Sequence, residues 1–279
     1  MPDKTPFLTI DGDYSRGLVL ICDHARNAMP ESYGSLGLPL SELERHIAYD
    51  IGAEGLTRGL AERLGVPAVM STFSRLLIDP NRGEDDPTLI RQLSDGAVIP
   101  ANYPLSAAER DYRLATFFRP YDQAIGEMIA RSVVTDNGSE RTPVVLSVHT
   151  MTDKWNNLPR PWHASVLWDN DPRFAKPLMA ALHGIDGCVV GDNEPYDGAL
   201  IGDTLYRHCT EAGIAHALIE IRQDLVREQS GIDEWVEKLV HAVEQSMQAP
   251  DLHERRHFGS RTLLPMPRHS HSMSGSGQV

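Results

Sequence analysis

Cysteine and long apolar runs are scarce in this sequence, and each shortage excludes a class of protein. The three cysteines, Cys22, Cys188 and Cys209, are far apart and odd in number, and no CxxC pair occurs. A disulfide framework and a thiolate zinc site are therefore not expected, and a reducing cytoplasm is the natural compartment. No stretch approaches the ~20 apolar residues of a membrane-spanning helix. The polar first residues do not resemble a signal peptide.

Positive charge is also in short supply. Lys and Arg number 26 against 39 Asp and Glu, which leaves a net charge of −13 over 279 residues. Nucleic acids and anionic membrane surfaces would repel such a chain, so neither is expected as a partner. A small anionic substrate remains compatible, because a few arginines in a cleft can locally outweigh the global field.

Short apolar runs alternate with helical patterns along most of the chain. This alternation predicts an α/β fold: a single domain over residues 1–250, with a mostly parallel central sheet flanked by helices. Residues 251–279, rich in Ser, His, Pro and Gly, are expected to form a loosely ordered tail. Strands are predicted within 17–24, 66–74, 76–82, 142–150, 163–169, 187–193 and 216–222.

Three helices are predicted with bounds from apolar residues at helical spacing, and further helices are expected between the strands predicted at 163–169, 187–193 and 216–222. The first covers residues 41–65, with Ser41 as its N-cap, Glu44 completing a capping box and Gly65 at its end. The second covers about 106–134, and the third covers about 232–247.

Polar clusters stand where four of the apolar runs end: CDHARN (22–27), IDPNR (78–82), SVHTMTD (147–153) and IEIRQD (219–224). In open parallel sheets, ligands bind outside the carboxyl ends of the strands. Four such exits on one sheet edge would converge on a single pocket. The sequence therefore favours an enzyme.

His24 and His149 each follow or end an apolar run, a position typical of metal ligands held by rigid backbone. A lone histidine there is more often a capping or core residue, but two beside acids slightly favour ligation. Zinc held by two His and one carboxylate, with a position open for water, is a common catalytic arrangement. Because no HExxH spacing is present, the carboxylate remains open between Asp23 and Asp50. Asp23 could instead orient a ligating imidazole.

Glu220 lies inside the apolar run ALIEI, where a carboxylate is unfavourable unless it is paired. It could form a structural pair with Arg222, because residues two apart share a strand face. It could equally be a general base that takes a proton from water and passes it to a leaving amine.

Cationic and amide side chains that could bind a substrate carboxylate occur in two segments. SRLLIDPNR contains Arg75, Asn81 and Arg82, and guanidinium groups bind carboxylates in a bidentate fork. Surface salt bridges with the acidic residues 84–86 are the alternative. Arg160, in the proline-rich segment LPRPWH, is a further candidate. Covalent catalysis ranks low because no GxSxG elbow is present.

The segments CDHARNAMP, HIAYDIGA, SRLLIDPNR, SDGAVIPAN, RPWH, GDNEPY and IEIRQDL, in this order, resemble the N-formylglutamate amidohydrolase family from about residue 15 to 245. That family is related to zinc carboxypeptidases and aspartoacylases. The resemblance implies a carboxypeptidase-like fold with zinc held by two His and one acid, a catalytic Glu, and an Asn-Arg pair that binds substrate carboxylate.

By this resemblance His24 is the first zinc ligand and His149 the last, and Glu220 is the base. Asn81 and Arg82 form the Asn-Arg pair, with Arg82 also assisting catalysis and Arg75, Arg160 and Arg222 as further substrate contacts. The wider group has Glu three residues after the first His, where this chain has Asn27, so the second ligand is assigned to Asp50. The expected reaction is zinc-dependent hydrolysis of an N-acyl amino acid, first of all N-formyl-L-glutamate. Another N-acyl amino acid, or a non-catalytic metal-binding protein, is the alternative.

Overall fold

The computed structural model describes residues 5–136 and 138–263. Thirteen strands occur within these ranges. In chain order they are β1 (Phe7–Ile10), β2 (Leu18–Cys22), β3 (Ala68–Ser71), β4 (Leu93–Ser94), β5 (Ala97–Val98), β6 (Val134–Asp136), β7 (Ser139–Arg141), β8 (Val144–Met151), β9 (Lys154–Trp155), β10 (Leu158–Pro159), β11 (Ala164–Leu167), β12 (Val190–Asp192) and β13 (His216–Arg222).

The helices of the described residues are, in chain order, α1 (Leu40–Leu43), α2 (Ala53–Leu64), α3 (Ala107–Arg113), α4 (Arg119–Arg131), α5 (Pro172–His183) and α6 (Gln229–Ser246). A π-helical turn, Leu114–Phe118, joins α3 to α4. None of the helices that the structure describes is long and apolar enough to cross a membrane.

Seven strands form the central sheet in the order β1-β3-β2-β8-β13-β11-β12. The pairs β3-β2, β2-β8, β8-β13 and β11-β12 are parallel, whereas β1 is antiparallel to β3 and β11 is antiparallel to β13. The predicted α/β domain with a mostly parallel sheet is therefore confirmed. The reversal at β11 means that this strand starts, rather than ends, at the edge where β8 and β13 end.

The sheet is buried on both faces, which explains its nearly continuous apolar strands. One face packs on α2, α5 and α6 through residues such as Leu146 and Ile219. The other face, which includes Val145 and Leu218, packs on α4 and on irregular segments between residues 36 and 99. Successive residues of a strand point to opposite faces, so this alternation determines which side chains of β8 and β13 reach the site.

The predicted helix over residues 41–65 is wrong in its middle. It divides into α1 and α2, separated by turns over residues 44–52, and α1 begins after Pro39 rather than at Ser41. Gly52 has φ 87° at the start of α2, a backbone conformation that favours glycine. A Cβ on Gly52 would lie 2.5 Å from the carbonyl oxygen of Val226, so the chain turns here in close contact with another segment. Gly65 does end the helix in a left-handed conformation.

Two other segments differ from expectation. Residues 76–82 form buried turns rather than a strand, and the edge strand β1 was not predicted.

The described part of the expected tail packs on the domain: Leu252 is buried, His253 Nδ1 donates to the Thr142 carbonyl at 2.8 Å, and the Arg261 amide donates to Asp169 at 2.8 Å. The remaining part, residues 264–279, lies outside the described residues.

Candidate active site

Three residues distant in sequence converge at the edge where β2, β8 and β13 end. His24 lies two residues after β2, His149 lies near the end of β8, and Asp50 lies in the turn before α2. All three are buried. The break between α1 and α2 is what brings Asp50 here, because its amide donates to the His24 carbonyl at 2.9 Å.

The facing atoms of these residues form a compact donor set. Asp50 Oδ2 lies 3.4 Å from His24 Nδ1 and 2.8 Å from His149 Nδ1. One ligand atom from each residue lies within 4.8 Å of the other two. Neighbouring ligands around four-coordinate zinc lie about 3.4 Å apart, given bond lengths of about 2.0–2.1 Å. The set therefore fits a small divalent metal, with the His149 contact somewhat shorter than that spacing.

Both imidazoles use their other nitrogen to bind a buried carboxylate. His24 Nε2 donates to Asp79 Oδ1 at 2.7 Å, and His149 Nε2 donates to Asp23 Oδ2 at 3.3 Å. Carboxylates in this position fix the tautomer and orientation of a metal-ligating imidazole, which leaves Nδ1 free to bind the ion. Asp23 is itself held by hydroxyls from Tyr121, Ser147 and Thr204.

The electrostatics of this cluster favour a cation between its acids. Burial alone would lower the pKa of His149, but the hydrogen bonds to Asp23 and Asp50 raise it to about 10. Burial would likewise raise the pKa of Asp79, yet Arg75 and His24 hold it well below its usual range. Three buried carboxylates thus stay ionised around two imidazoles. A divalent ion would supply the same positive charge as protons on the two rings.

Glu220 lies beside the triad on β13. In the sheet it is opposite His149 of β8 and Ser165 of β11. Its Oε2 atom is buried and has no hydrogen-bond partner. Burial raises its pKa to about 7, a shift that His149, Arg75 and Arg160 limit. A carboxylate with this proton affinity can both accept and release a proton near neutral pH.

Four arginines line the same cavity and differ in how far they are already paired. Arg75 binds Asp79 Oδ2 at 2.8 Å and lies 3.5 Å from Asp50 Oδ1. Arg82 donates to the Asn81 carbonyl and to Thr88. The four arginines that line the cavity are Arg75, Arg82, Arg91 and Arg160.

Arg91 and Arg160 hold unpartnered donors. Arg91 Nε is buried without a partner, although its Nη2 lies 3.4 Å from Asp79. Arg160 is buried, and both its Nε and its Nη1 lack a partner, while its Nη2 donates to the Tyr196 hydroxyl at 2.8 Å. A buried guanidinium without a carboxylate partner is unfavourable unless a ligand provides one.

The cavity around these groups measures about 640 Å³. Its mouth carries the apolar side chains of Trp155, Leu158 and Tyr196, which are exposed. Asn81 lines the wall next to Arg82, and its Oδ1 accepts the Thr204 amide at 3.1 Å. A candidate metal triad, an unpaired carboxylate and the guanidinium of Arg160, which has no carboxylate partner among the described residues, thus share one cavity.

Residues 16–227 match the N-formylglutamate amidohydrolase family. The chain belongs to this family. The resemblance seen in the sequence motifs is confirmed, and family membership supports a hydrolase of linear amide bonds.

Two solved structures with similar folds accompany this family match. The gene product Atu2144 of Agrobacterium tumefaciens is 28% identical with a TM-score of 0.81, over 88% of this chain and 95% of that chain. The N-formylglutamate amidohydrolase of Ralstonia eutropha JMP134 is 21% identical with a TM-score of 0.67, over 88% of this chain and 98% of that chain. None of the curated proteins compared with the chain matches it.

The structure of this family member brings most of the predicted site residues together. His24, Asp50, His149 and Glu220 share the cavity with Asn81, Arg75, Arg82 and Arg160. Arg222 does not line it; its guanidinium binds Asp224 at 2.7 Å and donates to the Arg160 carbonyl at 3.1 Å. It therefore positions the Arg160 segment. Glu220 and Arg222 are not paired with each other in the described residues.

Three residues that line the cavity or hold its side chains in place were not predicted from the sequence. Asp79 was inside a quoted motif, IDPNR, but its role as a partner of His24 depends on a contact 55 residues apart in the chain. Arg91 follows a buried turn and had no signal beyond its charge. Tyr196, which holds Arg160, lies in the segment GDNEPY that the family resemblance had marked.

Proposed function

We propose that this chain is a zinc-dependent hydrolase of N-acyl amino acids, with N-formyl-L-glutamate as the first substrate to test. The observation that carries the proposal is the buried triad of His24, Asp50 and His149 beside the unpaired carboxylate of Glu220. Membership of the N-formylglutamate amidohydrolase family supports the choice of reaction. Imidazole and carboxylate donors together favour zinc among the common metals.

A zinc ion held by this triad would supply Lewis-acid chemistry, polarising an amide carbonyl and acidifying water. Asp79 and Asp23 keep a proton on Nε2 of each histidine, so that both Nδ1 atoms point at Asp50. These second contacts make the donor set rigid before any ion binds.

Glu220 acts as the proton carrier. Its ionised form accepts a proton from the attacking water, and the resulting acid donates that proton to the nitrogen of the leaving amine. Burial raises the pKa of Glu220 to about 7, which suits both steps at neutral pH. The guanidinium of Arg75, whose charge also acts on Glu220, stabilises negative charge that develops on the carbonyl oxygen.

Arg160 is the best candidate to hold the carboxylate of the amino acid. Two of its nitrogens are buried and unpartnered, and Tyr196 fixes the third. Arg82 and Asn81, which also line the cavity, contribute to this binding, although Arg82 is already bound to backbone and Thr88. Arg75 serves mainly to neutralise Asp79 and Asp50.

The first test is the metal content of purified protein by elemental analysis, in the wild type, His149→Ala and His46→Ala. His46 lines the cavity outside the triad and is the matched control. We expect about one zinc per chain in the wild type and the control, and a large loss in His149→Ala. His24→Ala is the second triad variant if the first does not fold. A wild type without zinc, even after zinc is added back, would contradict the proposal.

The second test is the turnover of N-formyl-L-glutamate by Glu220→Gln, followed through the release of formate. Loss of a positioned proton carrier lowers kcat by about 10²–10⁴-fold. Zinc content should stay unchanged, because Glu220 is outside the triad. Full activity in this variant would rule out the assigned role of Glu220.

A further inference from the structure

The cavity is larger than the default substrate requires. Its volume of about 640 Å³ lies in the middle of the range for drug-sized ligands, about 300–1,000 Å³. N-formyl-L-glutamate is a much smaller molecule with a single-carbon acyl group. The residues that line the cavity include two residues of β13 that precede Glu220, His216 and Leu218.

Alternation along β13 places His216, Leu218 and Glu220 on one face, and all three line the cavity. Leu218 is opposite Leu167 of β11 in the sheet. Leu205 also lines the cavity. We call the space bounded by Leu167, Leu205, Leu218 and the ring of His216 the inner lobe.

The segment 195–205 covers this part of the sheet face. Gly198 allows the close approach, because a Cβ there would lie 2.2 Å from the Trp168 amide nitrogen. Leu200 and Leu205 of the segment line the cavity. Thr204 anchors the segment through its hydroxyl to Asp23 at 2.8 Å and through its amide to Asn81. The inner lobe is therefore enclosed between two backbone layers.

Both ring nitrogens of His216 and one carboxylate oxygen of Asp203 are bound within the protein. His216 Nδ1 donates to the Ile214 carbonyl at 2.7 Å, and its Nε2 lies 3.3 Å from the Thr210 hydroxyl. Asp203 Oδ1 accepts the Tyr206 amide at 2.7 Å. By contrast, the buried atoms of the described residues that have no hydrogen-bond partner belong to Arg91, Arg160 and Glu220, which lie outside the lobe. An apolar group is thus the occupant that fits the lobe.

Strand register separates the lobe from the carboxylate anchor. Leu218 and His216 precede Glu220 on β13, and so lie on its interior side. Arg160 precedes β11, whose first residue pairs with Ile221, one residue beyond Glu220. A substrate whose amide lies at Glu220 would therefore extend toward Arg160 at one end and into the inner lobe at the other.

We propose that the substrate of this hydrolase carries a medium-length apolar acyl chain that binds in the inner lobe, while its amino-acid carboxylate binds Arg160. This inference rests on the proposed function and specifies its substrate class. In the reaction, water adds across the amide: the C–N bond breaks, the acyl carbon gains the hydroxyl, and the nitrogen gains the proton. The products are the fatty acid of that acyl chain and a free amino acid.

The test compares kcat/KM for N-formyl-, N-butanoyl- and N-hexanoyl-L-glutamate in the zinc-loaded enzyme. We expect kcat/KM to rise with acyl length, by up to about fourfold for each methylene that becomes buried. Binding of hexanoate, measured by calorimetry, provides a readout that does not depend on turnover.

Leu218→Phe fills the lobe and should remove the preference for the longer chains and the binding of hexanoate. Leu158→Phe, at an exposed position of the mouth, is the matched control and should keep the wild-type preference. Leu205→Phe fills the lobe from the covering segment if Leu218→Phe does not fold.

The results separate the two proposals. A preference for the formyl substrate that both lobe variants leave unchanged would overturn the lobe assignment and leave the hydrolase intact. No turnover of any of the three substrates by zinc-loaded protein would instead refute the proposed function. Hexanoate binding then decides on the lobe alone: its loss in Leu218→Phe supports an apolar acyl site, and its absence in the wild type refutes one.

Discussion

Replacement of Glu220 by Gln should stabilise the metal-free protein at alkaline pH. The carboxylate is buried, and one of its oxygens has no hydrogen-bond partner. Burial raises its pKa from 4.5 to about 7, so the folded chain keeps a proton that the unfolded chain releases. The wild type therefore loses stability as pH rises from about 4.5 to about 7. Gln cannot ionise and avoids this loss.

The expected size follows from the two pKa values. The difference between 4.5 and about 7 corresponds to about 3 kcal/mol, at about 1.4 kcal/mol for each tenfold change in proton affinity. Of this, about 2.5 kcal/mol develops between pH 5 and pH 8. The free energy of unfolding of Glu220→Gln, relative to the wild type, should rise by that amount across this interval.

The assay is urea unfolding of chelator-treated protein at several pH values from 5 to 8. Glu62→Gln, an exposed position on α2, is the control and should run parallel to the wild type. If the difference between Glu220→Gln and the wild type does not change with pH, Glu220 is ionised throughout, and the argument from its unpaired oxygen is refuted.

Two further variants test the supports of the metal triad. Asp79→Asn weakens the hydrogen-bond partner of His24 and should lower zinc affinity, measured by chelator competition, by about 10–100-fold. Asp95→Asn, which also changes a residue of the cavity wall, is the control and should leave zinc affinity unchanged. Equal effects of the two variants would refute the orienting role of Asp79. Gly52→Ala should lower the free energy of unfolding by about 1–3 kcal/mol, because its φ is 87° and its Cβ would lie 2.5 Å from a backbone oxygen. Gly126→Ala on α4, where φ is not positive and a Cβ would meet only the His208 ring at 3.6 Å, should cost less in the same denaturant titration.

Much of the fold was predictable because apolar periodicity reflects burial directly. The runs that became β2, β8 and β13 are buried along nearly their whole length, and each was predicted as a strand. Their polar exits did lie at one edge. Residues 76–82 were also apolar, but they lie buried as turns, where hydrogen bonds to other segments replace strand pairing.

The location of Asp50 could be guessed, but the reason for it could not. Helical spacing runs through residues 41–65, and local propensity cannot reveal that the chain breaks at Gly52. The break depends on contact with Val226, far away in the sequence. Long-range contacts of this kind also determine that Asp79 supports His24.

Strand direction accounts for the position of Arg160. The rule that ligands bind beyond strand ends assumes parallel strands. Because β11 runs antiparallel to β13, the residues that precede it reach the site edge. Arg160 enters the cavity in this way, while Arg222, just past Glu220, turns outward to Asp224.

The carboxylates that contact His149 would make zinc binding an exchange, in which the zinc ion replaces a proton on the imidazole ring. Without an ion, Asp23 and Asp50 raise the pKa of His149 to about 10, so that ring is an imidazolium at neutral pH. An arriving zinc ion must displace its Nδ1 proton, and the apparent affinity therefore increases about tenfold per pH unit below that pKa. The imidazolium of His149 thus supplies one positive charge beside Asp23 and Asp50 before zinc binds. Mild acid should accordingly release the metal without collapsing the pocket that held it.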